Sequence, residues 1–346
     1  MSFATQNQLN DEFVKYFDES TEFRQGTDFL NNNMGGIYNI EFSIHAHEAG
    51  GISEPEFLNK VEGLVDWLLS QPEVIHANTV TDIFKRLNKN MHADDEQWYR
   101  LPINRELAAQ YLLLYEMSLP YGLDLNDQIN MDKSGVRVTI LLESMSSNEL
   151  LALEQRINKW IAHNTPEYKI EQASPILMFS HIGSRNIIRM VIGSVLALVL
   201  ISILLMMAFK SIKLGLISLV PNLVPAGIAF GVWGLINGQI GLGLSVVTGV
   251  TLGIVVDDTV HFMSKYKRAR TEKGLNSEDA VRYAFSTVGV ALWVTSLVLV
   301  TGFMVLSLSH FTMNAEMGLM TAITIAIALF LDLLFLPPLI MSLDKK

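Results

Sequence analysis

The sequence contains no cysteine. That excludes disulfides, thiolate nucleophiles and thiolate metal sites, and leaves histidines and carboxylates as the ionisable groups able to carry protons or ligate ions. Basic residues are scarce in the first 180 positions, which hold 13 Lys/Arg against 27 Asp/Glu. An acidic surface of this kind repels nucleic-acid phosphates and anionic headgroups, so nucleic acid is not an expected partner. The amino terminus, MSFATQNQLNDEFVKYFDES, has neither the basic n-region nor the apolar core of a secretion signal. What the first half lacks, the second has in excess. Half of the 346 residues are apolar, and they concentrate after about position 187, so two regions with different solvents are expected.

Five apolar stretches are long enough to cross a hydrocarbon core of roughly 30 Å, near 187–209, 214–236, 240–262, 288–308 and 315–341. The connection at Lys210–Lys213 is basic, as is 263–287, with Lys265, Lys267, Arg268, Arg270, Lys273 and Arg282. The positive-inside rule makes both cytoplasmic, with the carboxy-terminal Asp344-Lys345-Lys346. The links at Asn237–Gln239 and Ser309–Asn314 carry no Lys or Arg and fall outside together with the soluble region, although Arg185 and Arg189 flank the first span on the outer side. A large outer domain with no signal implies a preceding span, lost or on another chain. The segment 263–287 reads as an amphipathic helix on the inner membrane face.

The soluble region, residues 1–183, shows two strand–helix–strand patterns: 36–46, 55–69 and 74–81, then 136–143, 150–162 and 168–173. The expected class is α+β, a ferredoxin-like βαβ-βαβ domain with a helical insertion over 82–130, followed by an all-α bundle of five spans in residues 184–346. The insertion carries Trp98, Tyr111, Tyr115 and Tyr121, read as core aromatics. His45 and His47 share a strand face beside Glu48, but lack a third placed ligand, so no metal site is expected.

Pro221-Asn222-Leu223-Val224-Pro225, then Gly253-Ile254-Val255-Val256-Asp257-Asp258-Thr259-Val260-His261-Phe262, Lys265–Arg270, Thr295-Ser296, Gly302-Phe303 and Asp332–Pro338 resemble the resistance-nodulation-division (RND) superfamily. The resemblance is to its lipid-exporter branch, related to the mycobacterial large membrane proteins (MMPL-like). It implies a porter-type soluble domain on the periplasmic side of a bacterial inner membrane. It also implies a carboxy-terminal repeat without its first helix, and hence a partner: an amino-terminal half or a second copy. A hydrophobic or lipid substrate, a possible periplasmic accessory protein and proton antiport follow from the same resemblance, with no enzyme activity and no cofactor. Relatives commonly carry an Asp-Tyr pair where this chain has Asp257-Asp258.

A carboxylate in hydrocarbon costs at least about 2.5–3.5 kcal/mol on insertion scales, so acidic residues there are retained for function or paired. Asp257 and Asp258 adjoin, and His261 follows on their side of the helix. Carboxylates this close resist joint ionisation, and His261 is of the type that titrates near neutral pH, so the trio suits proton uptake and release. Asp332 falls at the same depth as Asp257, roughly 26 Å from the outer helix end, while Asn222, Thr295 and Ser296 lie roughly 11–12 Å from inner ends. The expected proton relay is Asp257, Asp258, His261 and Asp332, supported by a polar layer of Asn222, Thr295 and Ser296. Asn222, between two prolines, would also bond carbonyls freed at a kink, and Glu316 would lie near the outer interface. The small residues of the third span (Gly241, Gly243, Ser245, Gly249, Gly253) suit close helix packing. Competing readings are a non-transporting module, sterol-sensing-like or a scaffold, and an intramembrane metal-dependent hydrolase using Asp257, Asp258 and His261.

Overall fold

The computed structural model describes residues 7–120 and 123–344; Tyr121, Lys345, Lys346 and the first six residues lie outside the described residues. In chain order the elements are β1 (Gln8–Leu9), α1 (Glu22–Met34), β2 (Tyr38–His45), α2 (Pro55–Leu69), β3 (Val74–Thr79), α3 (Val80–Met91), α4 (Arg105–Ser118), β4 (Gly135–Leu142), α5 (Ser147–Asn164), β5 (Lys169–Ala173), α6 (Pro175–Ala208), α7 (Ile212–Ile236), β6 (Gln239–Ile240), α8 (Leu242–Thr271), α9 (Ser277–Ala284), α10 (Val290–Leu306), α11 (Thr312–Phe330) and α12 (Leu336–Leu343). The chain divides into two units, Gln25–His181 and a second in which the described residues of Met1–Arg24 join Ile182–Lys346. The expected soluble domain of 1–183 therefore differs at its start, because the first strand pairs with a connection between spans.

In the Gln25–His181 unit, four strands form one antiparallel sheet in the order β3-β4-β2-β5. Each strand–helix–strand unit is split by a strand of the other, so β4 lies between β2 and β3, and β2 between β4 and β5. Alternation sets the register: Tyr38, Ile40, Phe42 and Ile44 of β2, with Val136, Val138, Ile140 and Leu142 of β4, are buried. They share the core with Phe57, Leu58, Val61, Leu64 and Leu68 of α2 and Leu150, Leu153 and Ile157 of α5. Local chemistry starts these helices. Pro55 opens α2, where its missing N–H costs nothing, and Ser146 and Glu149 form a reciprocal capping box at α5. Of the insertion aromatics, Tyr111 is buried and its hydroxyl donates to Asn88 Oδ1 at 3.0 Å, whereas Trp98 stacks on His92 at 3.6 Å between centroids.

Among the described residues, five helical stretches are long and apolar enough to cross a bilayer: Pro175–Ala208, Ile212–Ile236, Leu242–Thr271, Ser277–Leu306 and Thr312–Leu343. The segment 263–287 is not a single surface helix. Its first part continues α8 to Thr271, the chain turns at Gly274 in a left-handed conformation (φ 66°), and Asn276 caps α9 through Asp279 N–H. Apolar residues explain the difference: Phe262, Met263, Tyr266 and Ala269 bury against Ala280, Val281 and Ala284, with Leu336 and Ile340. Toward the other end, Trp233, Leu244, Val247 and Met320 make a separate cluster. Close approach is enforced by glycine, since a Cβ on Gly318 would lie 2.8 Å from Phe303 O and one on Gly243 2.5 Å from Met313 Cγ.

Residues 7–18 form a strap across the helix ends that carry Asn237–Leu242 and His310–Thr312. β1 pairs with β6 in parallel, Asn7 Nδ2 donates to Phe230 O at 2.9 Å, and Phe17 bridges to Phe311. Helix α8 begins after Gly241, which has no side chain to cap it; buried Asp11 does so from a distance, its Oδ2 accepting from Leu242 N–H at 3.2 Å and from the Tyr16 hydroxyl at 2.6 Å. Burial pushes the Asp11 carboxyl above its ordinary value of 3.8, against the pull of those bonds. Removing the cap in Asp11→Ala is expected to cost about 1 kcal/mol and to speed hydrogen exchange at Leu242 and the next amides. The folded state holds the Asp11 proton more tightly than the unfolded chain. Wild type, compared with the non-titrating Asp11→Asn, should therefore lose stability as pH rises from 3.8 through the raised value; a pH-independent difference in unfolding midpoint would refute this.

Candidate functional site

Three spans meet at one hydroxyl. Thr259 of α8 is fully buried, and its Oγ1 lies 3.2 Å from Asn222 Oδ1 on α7, 3.0 Å from Asp332 Oδ1 and 3.2 Å from the Val255 carbonyl of its own helix. Local sequence places each partner. Pro337 and Pro338 have no N–H to give to the carbonyls one turn earlier, and the last span relaxes into a π-helical turn over Leu331–Phe335, where Leu336 N–H reaches Leu331 O. Asp332 sits in that turn and is 2% exposed. Turns of this kind recur at functional sites because they displace one side chain from the regular helical stripe. Asn222 lies between Pro221 and Pro225 inside α7 and is 3% exposed. It does not bond freed carbonyls as expected: its Oδ1 takes the Thr259 contact, while its Nδ2 and Asp332 Oδ2 have no hydrogen-bond partner.

A second contact joins α8 to α10. Ser296, 1% exposed, donates to Asp258 Oδ2 at 3.0 Å. Asp258 is half-buried. Asp257 points elsewhere, as the 100° step between neighbouring helical residues requires. Its Oδ1 lies 3.4 Å from His261 Nε2, and both side chains are more than half exposed (71% and 57%). The expected relay of four therefore divides. Asp258 and Asp332 face the bundle with Asn222 and Ser296, whereas Asp257 and His261 share an exposed stripe with Gly249 and Gly253. Thr295 is outside the layer: it is exposed, and its hydroxyl bonds Ala291 O and Leu292 O of its own helix. Glu316 accepts from Asn237 Nδ2 at 3.1 Å.

Thr259 is the residue that the sequence reading missed as a participant. Its signal was present: Thr251, Val255, Thr259, Phe262, Met263 and Tyr266 follow the spacing of one buried stripe, and a hydroxyl at its centre needs a partner. His45 and His47, by contrast, do not converge; His45 Nε2 lies 3.0 Å from Ser43 Oγ, and His47 stacks on Tyr168. No group of three or more His, Asp or Glu among the described residues is arranged to hold a metal ion.

The Thr259 site is short of hydrogens. One hydroxyl hydrogen faces three acceptors, so it satisfies one of them at a time. A proton on Asp332 supplies the missing donor: Asp332 then donates to Thr259 Oγ1, freeing the threonine hydrogen for Asn222 or Val255.

The family described as MMPL family matches residues 128–344 of this chain. The chain is also 27% identical over 145 residues to a protein of Methanocaldococcus jannaschii whose name describes it as a membrane protein; the match covers 42% of this chain and 37% of that relative.

Replacing the bridging hydroxyl in Thr259→Val leaves Asn222 Oδ1 and Asp332 Oδ1 without a donor and should lower stability by about 1–3 kcal/mol, read as a lowered thermal midpoint in detergent. Thr295→Val, whose hydroxyl serves its own helix, should change the midpoint by no more than about 0.5 kcal/mol. Equal effects of the two would remove the basis for placing Thr259 at the centre.

Proposed function

This chain belongs to the MMPL family, and from that premise we propose that it is half of an RND-type transporter driven by the proton-motive force, exporting lipids or other hydrophobic molecules. The observation that carries the proposal is Asp332, a carboxyl 2% exposed and hydrogen-bonded through Thr259 to two other spans. A buried group that gains and loses a proton changes the hydrogen-bond demand of three helices at once. That is a two-state element of the kind a transport cycle requires. In this reading Asp332 and Asp258 carry the proton, Thr259 relays it and Asn222 and Ser296 position the pair.

The exposed side of α8 supplies the case for a partner. Asp257 and His261 lie within a membrane span and outside the packed interior, where facing hydrocarbon is costly. We assign that face to the other half of the transporter or to a second copy of this chain, with Gly249 and Gly253 allowing close approach. The split strand–helix–strand units support a ferredoxin-like, porter-type role for Gln25–His181. The basic segments at Lys210–Lys213 and Lys265–Arg282 support a cytoplasmic location for those turns, and with it a periplasmic soluble unit in a bacterial inner membrane.

Proton uptake into proteoliposomes tests the proposal, with this chain reconstituted both alone at rising density and together with a candidate amino-terminal half. Uptake is expected to require the assembled form and to fall at least tenfold in Asp332→Asn and Asp258→Asn, about 1.4 kcal/mol in the driving step, while Thr295→Val retains it. Uptake unchanged in Asp332→Asn would end the proton-relay reading.

A further inference from the structure

At the bundle end that carries the basic turns, a pocket of about 400 Å³ opens between the first turns of α7, the last turns of α8 and the residues that close α12. Three of its wall residues are cationic, Lys213, Lys267 and Arg270, against one carboxylate, Asp344. Positive charge is therefore in excess there. Fixed contacts hold the charged ends at the wall. Arg270 Nε donates to Asp344 Oδ2 at 2.8 Å, and the Tyr266 hydroxyl donates to the same oxygen at 2.6 Å. The Lys213 ammonium donates to the Leu343 carbonyl at the end of α12, and that of Lys267 to the Phe209 carbonyl just after α6. Both lysines thus bond neutral carbonyls, which leave their charge in place, and an ammonium has three N–H groups of which a carbonyl takes one. Lys213 is exposed and Lys267 half-buried, so a ligand reaches both.

Basic pockets between spans at a membrane boundary suit phosphate headgroups, because a bond from an ammonium to a charged phosphate oxygen is stronger than one to a neutral acceptor. The apolar part of the wall bears on where the phosphate comes from. Leu214, Ile217 and Leu343 line the pocket, and on the same turns of α7 Ile212 and Leu216 are 70 and 53% exposed. A free phosphate ion would leave that surface unused, whereas a phospholipid covers it with the first carbons of its chains. We propose that this pocket binds the phosphate of an anionic phospholipid, with Lys213 and Lys267 donating to its oxygens. The two lysines already tie α7 to α12 and α8 to the end of α6, so the headgroup joins four helix ends. Selection is by headgroup charge, which separates this polar site from any path taken by a hydrophobic cargo. Neither a partner half nor proton coupling enters the binding step, so it stands or falls apart from the transport reading.

Native mass spectrometry of the full chain in detergent, titrated with phosphatidylglycerol or phosphatidylcholine, tests this, since detergent removes the surface potential of a leaflet. Phosphatidylglycerol is expected to bind more tightly by about fivefold or more and to raise the thermal midpoint. Lys213→Gln and Lys267→Gln each keep a donor for the carbonyl while removing a charge. Each should weaken phosphatidylglycerol binding about fivefold, the effect of one basic residue at a membrane surface, and the double variant should bind the two lipids alike. Lys273→Gln removes a charge that lies over the Tyr283 ring and should leave both affinities unchanged. Should the double variant not fold, the single variants compared with Lys273→Gln still decide. Equal binding of the two lipids by the wild type, a loss in Lys273→Gln as large as in Lys213→Gln, or a headgroup preference undiminished in both single variants would each overturn the proposal. Displacement of phosphatidylglycerol by excess inorganic phosphate would reveal a site for the free anion and overturn the assignment to lipid.

Discussion

Within a bilayer no water is present to satisfy a stray polar group, and the helical unit is organised around that constraint. Its consequences converge on the Thr259 hydroxyl, the point at which α7, α8 and the last span share a hydrogen bond. Rotating any one of the three helices breaks this bridge. Apolar contacts between spans gain little from the hydrophobic effect, because lipid tails are as apolar as leucine. Polar bridges and close glycine packing therefore carry much of the specificity, and Gly318 against the α10 backbone is an example.

The same constraint gives the backbone irregularities a purpose. Two prolines in succession would leave unfilled carbonyls in the last span, and the π-helical turn over Leu331–Phe335 takes up the defect. The displaced side chain is Asp332, so a buried carboxyl sits where the helix departs from regular α geometry. In α7 the pair Pro221 and Pro225 brackets Asn222. An irregular helix is easier to shift between two packings than a fully bonded one.

Two aspartates that adjoin in sequence have different surroundings. Asp258 meets Ser296 inside the bundle, while Asp257 pairs with His261 on an exposed stripe. A shared role for Asp257, Asp258 and His261 rested on proximity along the helix, and the helical step separates them. At the opposite helix ends Asp11 supplies the cap that Gly241 cannot.

Much was legible in the residues alone. Long apolar runs located the five spans, because a helix must satisfy its own backbone wherever water is absent, and period-two alternation located β2 and β4. Asp258, Asp332, Asn222 and Ser296 stood out because polar atoms in such runs are expensive. Contacts between distant segments were not legible. Thr259 is an ordinary residue in sequence and becomes central only when Asn222, 37 positions away, and Asp332, 73 positions away, are brought to it. The inward turn of Asp258, the outward turn of Asp257 and the exclusion of Thr295 depend on helix rotation, which composition leaves undetermined. Sequence determined which groups the membrane would have to accommodate, because transfer cost belongs to each side chain. Tertiary structure decided which of them meet, because a hydrogen bond requires two atoms about 3 Å apart.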